Sequence, residues 1–206
     1  MGFSTLIDIL GSTLIGGMLL LILLRLNDAS VENTYVYGGE LMVQQNLVSV
    51  VELLEHDFRK IGYCKDWQQI PDPSKSIIAA DSNSITFLTD ENNDGVVDTM
   101  RYYTGPPSEL LGTPNPRDRN LYRIVNGQSF HANLGVTELK MQFFNALGDS
   151  IFFPITVPSE IYSMQINITV ENTSAYDRKF KLEGEDNYST AFWRQIRLAA
   201  RNLRNR

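Results

Sequence analysis

The residues best suited to chemistry fall in one nonapeptide, Asp90-Glu91-Asn92-Asn93-Asp94-Gly95-Val96-Val97-Asp98. Calcium is a hard cation that takes about six to eight oxygen ligands, and the spacing D-x-N-x-D-G-x-x-D curls such oxygens around one point, with a glycine at the sharp turn. Asp90, Asn92, Asp94 and Asp98 would supply side-chain oxygens and Val96 a backbone carbonyl, which makes calcium the expected cofactor. Arg101 stands where a helix–loop–helix site would carry its bidentate Glu, and both flanks alternate like strands. The expectation is therefore a calcium-stiffened hairpin, of the weaker affinity found in extracellular modules, and not a conformational sensor. The same residues also read as an ordinary Asn-Asp-Gly turn between strands. Against that, four acids in nine residues, counting Glu91, repel one another unless a cation is present.

A second carboxylate is conspicuous for its surroundings. Residues 9–24 contain no charge, and residues 3–24 carry only Asp8. Those twenty-two residues would make about 33 Å of helix, close to the roughly 30 Å hydrocarbon core of a bilayer. A charge at the bilayer centre costs up to about 3 kcal/mol and usually has a partner. The cation that could reach Asp8 without leaving the membrane is an α-amino group, its own or that of a neighbouring copy. The alternative is an Asp8 hydrated at headgroup depth. A secretory signal peptide fits the segment poorly, because no base precedes Arg25 and the apolar run is long.

Other chemistry finds little material in the 206 residues. Cys64 is the only cysteine and His56 and His131 the only histidines, which excludes an intramolecular disulfide, a cysteine cage for zinc or iron–sulfur, and a histidine-rich metal site. No nucleophile motif or glycine-rich phosphate loop is present, so the expectation is a protein that is not an enzyme. Eighteen Lys and Arg against twenty-four Asp and Glu give a net charge of −6, and five of the arginines lie in residues 191–206. Residues 1–190 are correspondingly more acidic and would repel phosphate backbones, so no nucleic-acid partner is expected.

The elements that must position these residues can be read from periodicity. No proline occurs before Pro71, and apolar residues recur at Val43, Leu47, Val50, Leu54, Phe58 and Ile61, the spacing of a helix with one buried stripe. Gln44, Gln45, Glu52, Glu55, Asp57, Arg59 and Lys60 fill most of the remaining faces, and Gly62 supplies a stop. Asn27-Asp28-Ala29-Ser30 and Gly38-Gly39 are the places where the helix could break. Unbroken from 3 to 61, it would be about 88 Å long. Beyond Gly62 short alternating runs punctuated by Pro, Gly, Asn and Asp predict strands at 84–88, 97–103, 121–125, 136–144 and 161–170, with a proline-rich surface loop at 105–120. The fold class expected is α+β: a long N-terminal helix, apolar in its first half, packed against an antiparallel sheet. Its divisions are an apolar helix at 1–26, an amphipathic continuation at 27–62 and a β-rich domain at 63–206.

Gly2-Phe3-Ser4-Thr5-Leu6-Ile7-Asp8 resembles the processing and assembly motif of type IV pilins and type II secretion pseudopilins, in which cleavage after Gly exposes a Phe followed by Thr-Leu-Ile-Glu. The segment 54–63, LEHDFRKIGY, is similar to the "DLRRAGY" end of the long helix in minor pilins of the J or W type, and 136–151 is similar to their following β-segment. The resemblance implies processing at Gly2 and Phe3 by a prepilin peptidase, with Asp8 as the assembly carboxylate. It also implies an inner-membrane stage, and copies of the chain or related subunits as partners in a periplasmic or extracellular filament. Residues 189–205 read either as an Arg-rich helix or as a final strand, and the same resemblance leans to the strand. The sequence departs from the motif in having Asp for Glu, one residue late and so about 100° around the helix. A leader of Met1-Gly2 alone implies either an earlier true start or a subunit kept unprocessed. The rival expectation is a monomeric, membrane-tethered calcium-binding module of the cell envelope, an adhesin or a sensor.

Overall fold

The computed structural model describes residues 2–173, 188 and 190–198. The chain divides into two compact units, Met1–Glu40 and Leu41–Arg206. One helix, α1 (Gly2–Arg59), runs without a break through both weak points, the 27–30 polar run and the Gly38-Gly39 pair. With no proline in the segment every interior amide can donate, and once a helix is nucleated each added residue gains a bond that offsets about 1 kcal/mol per glycine.

In the first unit α1 is long and apolar enough to cross a membrane, and its apolar window has no buried residue. Two hydroxyls in this stretch bond within the helix: Ser12 Oγ donates to the Ile9 carbonyl at 2.9 Å and Thr13 Oγ1 to that of Leu10 at 3.0 Å. Such back-bonding removes most of the penalty for a hydroxyl in an apolar medium.

In the second unit the predicted stripe is the buried one. Val43, Val50, Leu54 and Phe58 are buried, Ile61 follows them beyond the helix end, and Leu47 packs at their margin. The helix closes by tightening, with the amides of Lys60 and Ile61 donating to the carbonyls of Asp57 and Phe58. Gly62 then turns the chain at φ +73°, and its amide donates to Leu88. A Cβ at Gly62 would press on Ser76 and Pro73, so only glycine suits both the angle and the space.

The strands form two antiparallel sheets where one was expected. The first is a meander of β1 (Ile77–Ala80), β2 (Ser84–Thr89), β3 (Asp98–Thr104), β4 (Leu121–Val125) and β5 (Gln128–Ala132) in sequential order. The second contains β6 (Val136–Phe144), β7 (Ser150–Ile151), β8 (Ser163–Glu171) and β9 (Thr190–Leu198) in the order β7-β6-β8-β9. Gly135 marks the division. At φ +71° it leads into β6, its carbonyl accepts from the Glu171 amide at 2.8 Å, and a Cβ there would run into the Glu171 carbonyl oxygen. β4 and β6 have their expected bounds, β2, β3 and β8 differ by one or two residues, and β1, β5 and β7 were not expected. β9 lies within the predicted 189–205 strand, whose residues 189 and 199–205 fall outside the described residues.

Both sheets contribute to one core with the helix stripe. Ile85, Phe87, Met100 and Tyr102 enter from the first sheet, and Leu139, Met141, Phe143, Ile166 and Ile168 from the second. Phe58 stands edge-on to Phe87 and Tyr102 at 5.7 and 5.3 Å between ring centres. On the far face of the first sheet a cross-strand row joins β3, β4 and β5. Tyr103 and Tyr122 stack at 4.7 Å, Arg101 lies over Tyr103 and His131 against Tyr122.

Candidate functional site

Gly2 opens α1, and Phe3 and Asp8 both lie on it, Phe3 fully in the open and Asp8 between the exposed Ile7 and Ile9. Helix geometry places Arg25, the first base along the chain, about 25 Å from Asp8. A carboxylate in that setting can be neutralised by a cation brought from outside the helix, or by water at the edge of a bilayer.

The 90–98 loop joins β2 to β3, so its flanks are strands as expected. Asp90 is buried at its root. Its Oδ1 accepts from the Asp94 amide at 3.1 Å, and its Oδ2 from the amides of Lys65 at 3.1 Å and Gly95 at 2.9 Å. Burial opposes the charged form of Asp90, but these amides outweigh it and hold the carboxyl below its ordinary range. Asn92 Oδ1 accepts from the Asp94 amide, Asp94 Oδ1 from the Val96 amide, and Asp94 Oδ2 from Asn92 Nδ2. Asp98 turns elsewhere: Oδ2 accepts from the Glu91 amide at 2.8 Å and Oδ1 from Asn126 Nδ2 at 2.6 Å. Asn93 and Gly95 take positive φ, which lets the chain curl through this set of bonds.

The loop thus brings Asp90, Asn92 and Asp94 together around shared amides, while Asp98, opposite Thr89 at the base of the loop, is held by the Glu91 amide and Asn126. Among the described residues no three His, Cys, Asp or Glu side chains group as a metal cage. The donors are the hard oxygens calcium takes, and those of Asp90, Asn92, Asp94 and Asp98 with the Val96 carbonyl would have to hold it.

The sequence reading missed the most tightly built polar cluster. Asp57, assigned there to the polar faces of the helix, is only 1% exposed. It lies beside Phe58 and one turn from Leu54, on the margin of the stripe that faces the sheets. Its Oδ2 accepts from Tyr102 Oη at 2.5 Å and from Arg123 Nε at 2.7 Å, and its Oδ1 lies 3.0 Å from His56 Nδ1. Arg123 Nη2 also donates to Glu91 Oε1 at 2.9 Å. Burial raises the Asp57 carboxyl, and Arg123, Tyr102 and His56 together bring it below its ordinary value. Burial and the neighbouring Asp57 charge push the Tyr102 phenol far up, in keeping with its role as a donor to Asp57. The signal that could have found this cluster is Arg123 itself, a base between Leu121 and Val125 on the same face of a strand.

Asp118, Glu171 and Cys64 are buried as well. Asp118 is 1% exposed with an Oδ1 that has no hydrogen-bond partner, and burial, with Glu171 nearby, raises its carboxyl. Glu171 itself accepts from Arg117 and from Asn115 Nδ2. Cys64 is buried against Asp90, and burial first, then the charges of Asp90 and Asp66, push its thiol up. Comparison with protein-family models, curated proteins and solved structures finds no match to this chain.

Proposed function

We propose that the chain is a structural, non-catalytic subunit of a type IV pilus-like or pseudopilus-like filament, assembled through its N-terminal apolar helix. The observation that carries this reading is α1: one unbroken helix supplies both an exposed apolar segment of membrane length and the core stripe of an α+β domain. Before assembly the segment resides in the inner membrane. In the filament it is buried among the helices of neighbouring copies or related subunits, and Asp8 meets a neighbour's terminal amine. A prepilin peptidase acting between Gly2 and Phe3 would create that amine. Calcium held by Asp90, Asn92, Asp94, Val96 and Asp98 is proposed on donor chemistry, as a stiffener of the outer domain.

Electron microscopy of the full chain expressed with its partner subunits tests the assembly. Filaments are expected from the wild type and from Asp8→Glu, and none from Asp8→Ala, with the outer domain still folded. Unchanged filaments in D8A would remove the carboxylate from the mechanism, and a dispersed, membrane-bound monomer would favour the tethered module. For the cation, calcium added to the full chain in detergent micelles should raise Tm, and a chelator should reverse it. A flat response would leave the 90–98 loop an ordinary turn.

A further inference from the structure

The end of α1 and the 90–98 loop are joined through one guanidinium. Arg123, on β4, spends Nε on Asp57 of the helix and Nη2 on Glu91 of the loop. Tyr102 Oη accepts from the same Nε at 3.0 Å while donating to Asp57, which fixes the plane of the fork. The circuit closes on the loop side, where Lys60 Nζ donates to the Glu91 carbonyl at 3.0 Å and the Glu91 amide donates to Asp98.

A guanidinium is planar, so its two edges cannot be aimed independently. Any movement of Glu91 that draws Nη2 toward the loop tilts Nε away from Asp57. That carboxylate is buried beyond the reach of water, so it cannot replace the lost bond cheaply. We infer that Arg123 is a coupling device: the conformation of the 90–98 loop sets how firmly the last turn of α1 is held, and the helix end in turn sets the loop. This goes beyond the filament reading and needs only the domain's own geometry. In a subunit joined to others by its helix, it would make a surface loop a control point for that helix.

Hydrogen exchange of the full chain in detergent micelles tests the coupling. In Glu91→Ala the backbone amides of residues 56–59 should exchange about tenfold faster than in the wild type. Glu91→Gln should fall between, and Glu160→Gln, an exposed acid elsewhere, should change nothing there. Tyr102→Phe, which loosens Asp57 without touching the loop, should speed exchange at the amides of Glu91 and Gly95. In an Arg123→Met background, Glu91→Ala should no longer affect residues 56–59. Arg123→Lys, which keeps the charge but loses the fork, should uncouple them in the same way if the methionine variant does not fold. Unaltered exchange at 56–59 in Glu91→Ala overturns the inference. So does an equal effect of Glu91→Ala with Arg123 replaced, since the path would then bypass the guanidinium.

Discussion

At the scale of single residues, two buried carboxylates with opposite tendencies make the sharpest predictions. Asp57→Asn would leave Arg123 without its main counter-ion, and removing one partner of a buried pair costs roughly 3–5 kcal/mol. Denaturant unfolding of the full chain at neutral pH should show that loss. The Asp57 carboxyl sits below its ordinary 3.8 in the folded chain. Its contribution is therefore complete above about pH 4 and disappears as pH falls through the lower, folded value. The asparagine variant should lack this acid limb. Asp118 behaves in the reverse sense, because a raised carboxyl favours the protonated form on folding. Its stabilisation is present below its ordinary value and is lost as pH rises through the folded one. Asp118→Asn should then be about as stable as the wild type at pH 3 and more stable at pH 7, by the same unfolding assay. Neither group was legible beforehand for a plain reason. Helical spacing marks Asp57 as flanking the stripe, but only the position of Arg123 across the sheet says that it points inward.

At the scale of elements, the packing of α1 on the sheets rests on a few large side chains. Phe58→Ala would empty the space between Phe87 and Tyr102 and should cost about 3–5 kcal/mol in unfolding free energy. Gly135→Ala would force a Cβ onto the Glu171 carbonyl at a left-handed φ, and roughly 1–3 kcal/mol of destabilisation is expected, with β6 and β8 amides losing exchange protection first. Elements that bury one face were readable. β2, β3 and β6 bury alternate residues and read as strands, and the stripe from Val43 to Ile61 announces itself by steps of three and four. β5 was not readable, because all five of its side chains are exposed and it is held by pairing with β4 and the contact of His131 on Tyr122. β7, two residues long, carries no period at all. The division into two sheets was equally hidden, since strand periodicity does not say which strands pair.

At the scale of the whole molecule, the first half of α1 is long and apolar enough to cross a membrane, and vesicle binding tests whether it does. The full chain should remain with vesicles after alkaline extraction and leave them only with detergent. Leu20→Arg, near the middle of the segment, should release a fraction of it, given about 2.5–3.5 kcal/mol for a mid-membrane arginine. The long helix and its apolar half could be read directly from the absence of proline and charge. The wiring of the β-rich domain could not, because the bonds that tie residues 57, 91 and 123 join segments far apart in the chain.

The solitary thiol has a practical corollary. Cys64 is enclosed and its ionisation suppressed, so an alkylating reagent should leave the native chain untouched and modify it only when the domain opens. Its labelling rate would then serve as a clock for opening of the domain where optical melts are blind. Any cysteine introduced at the surface would be the one site a probe finds.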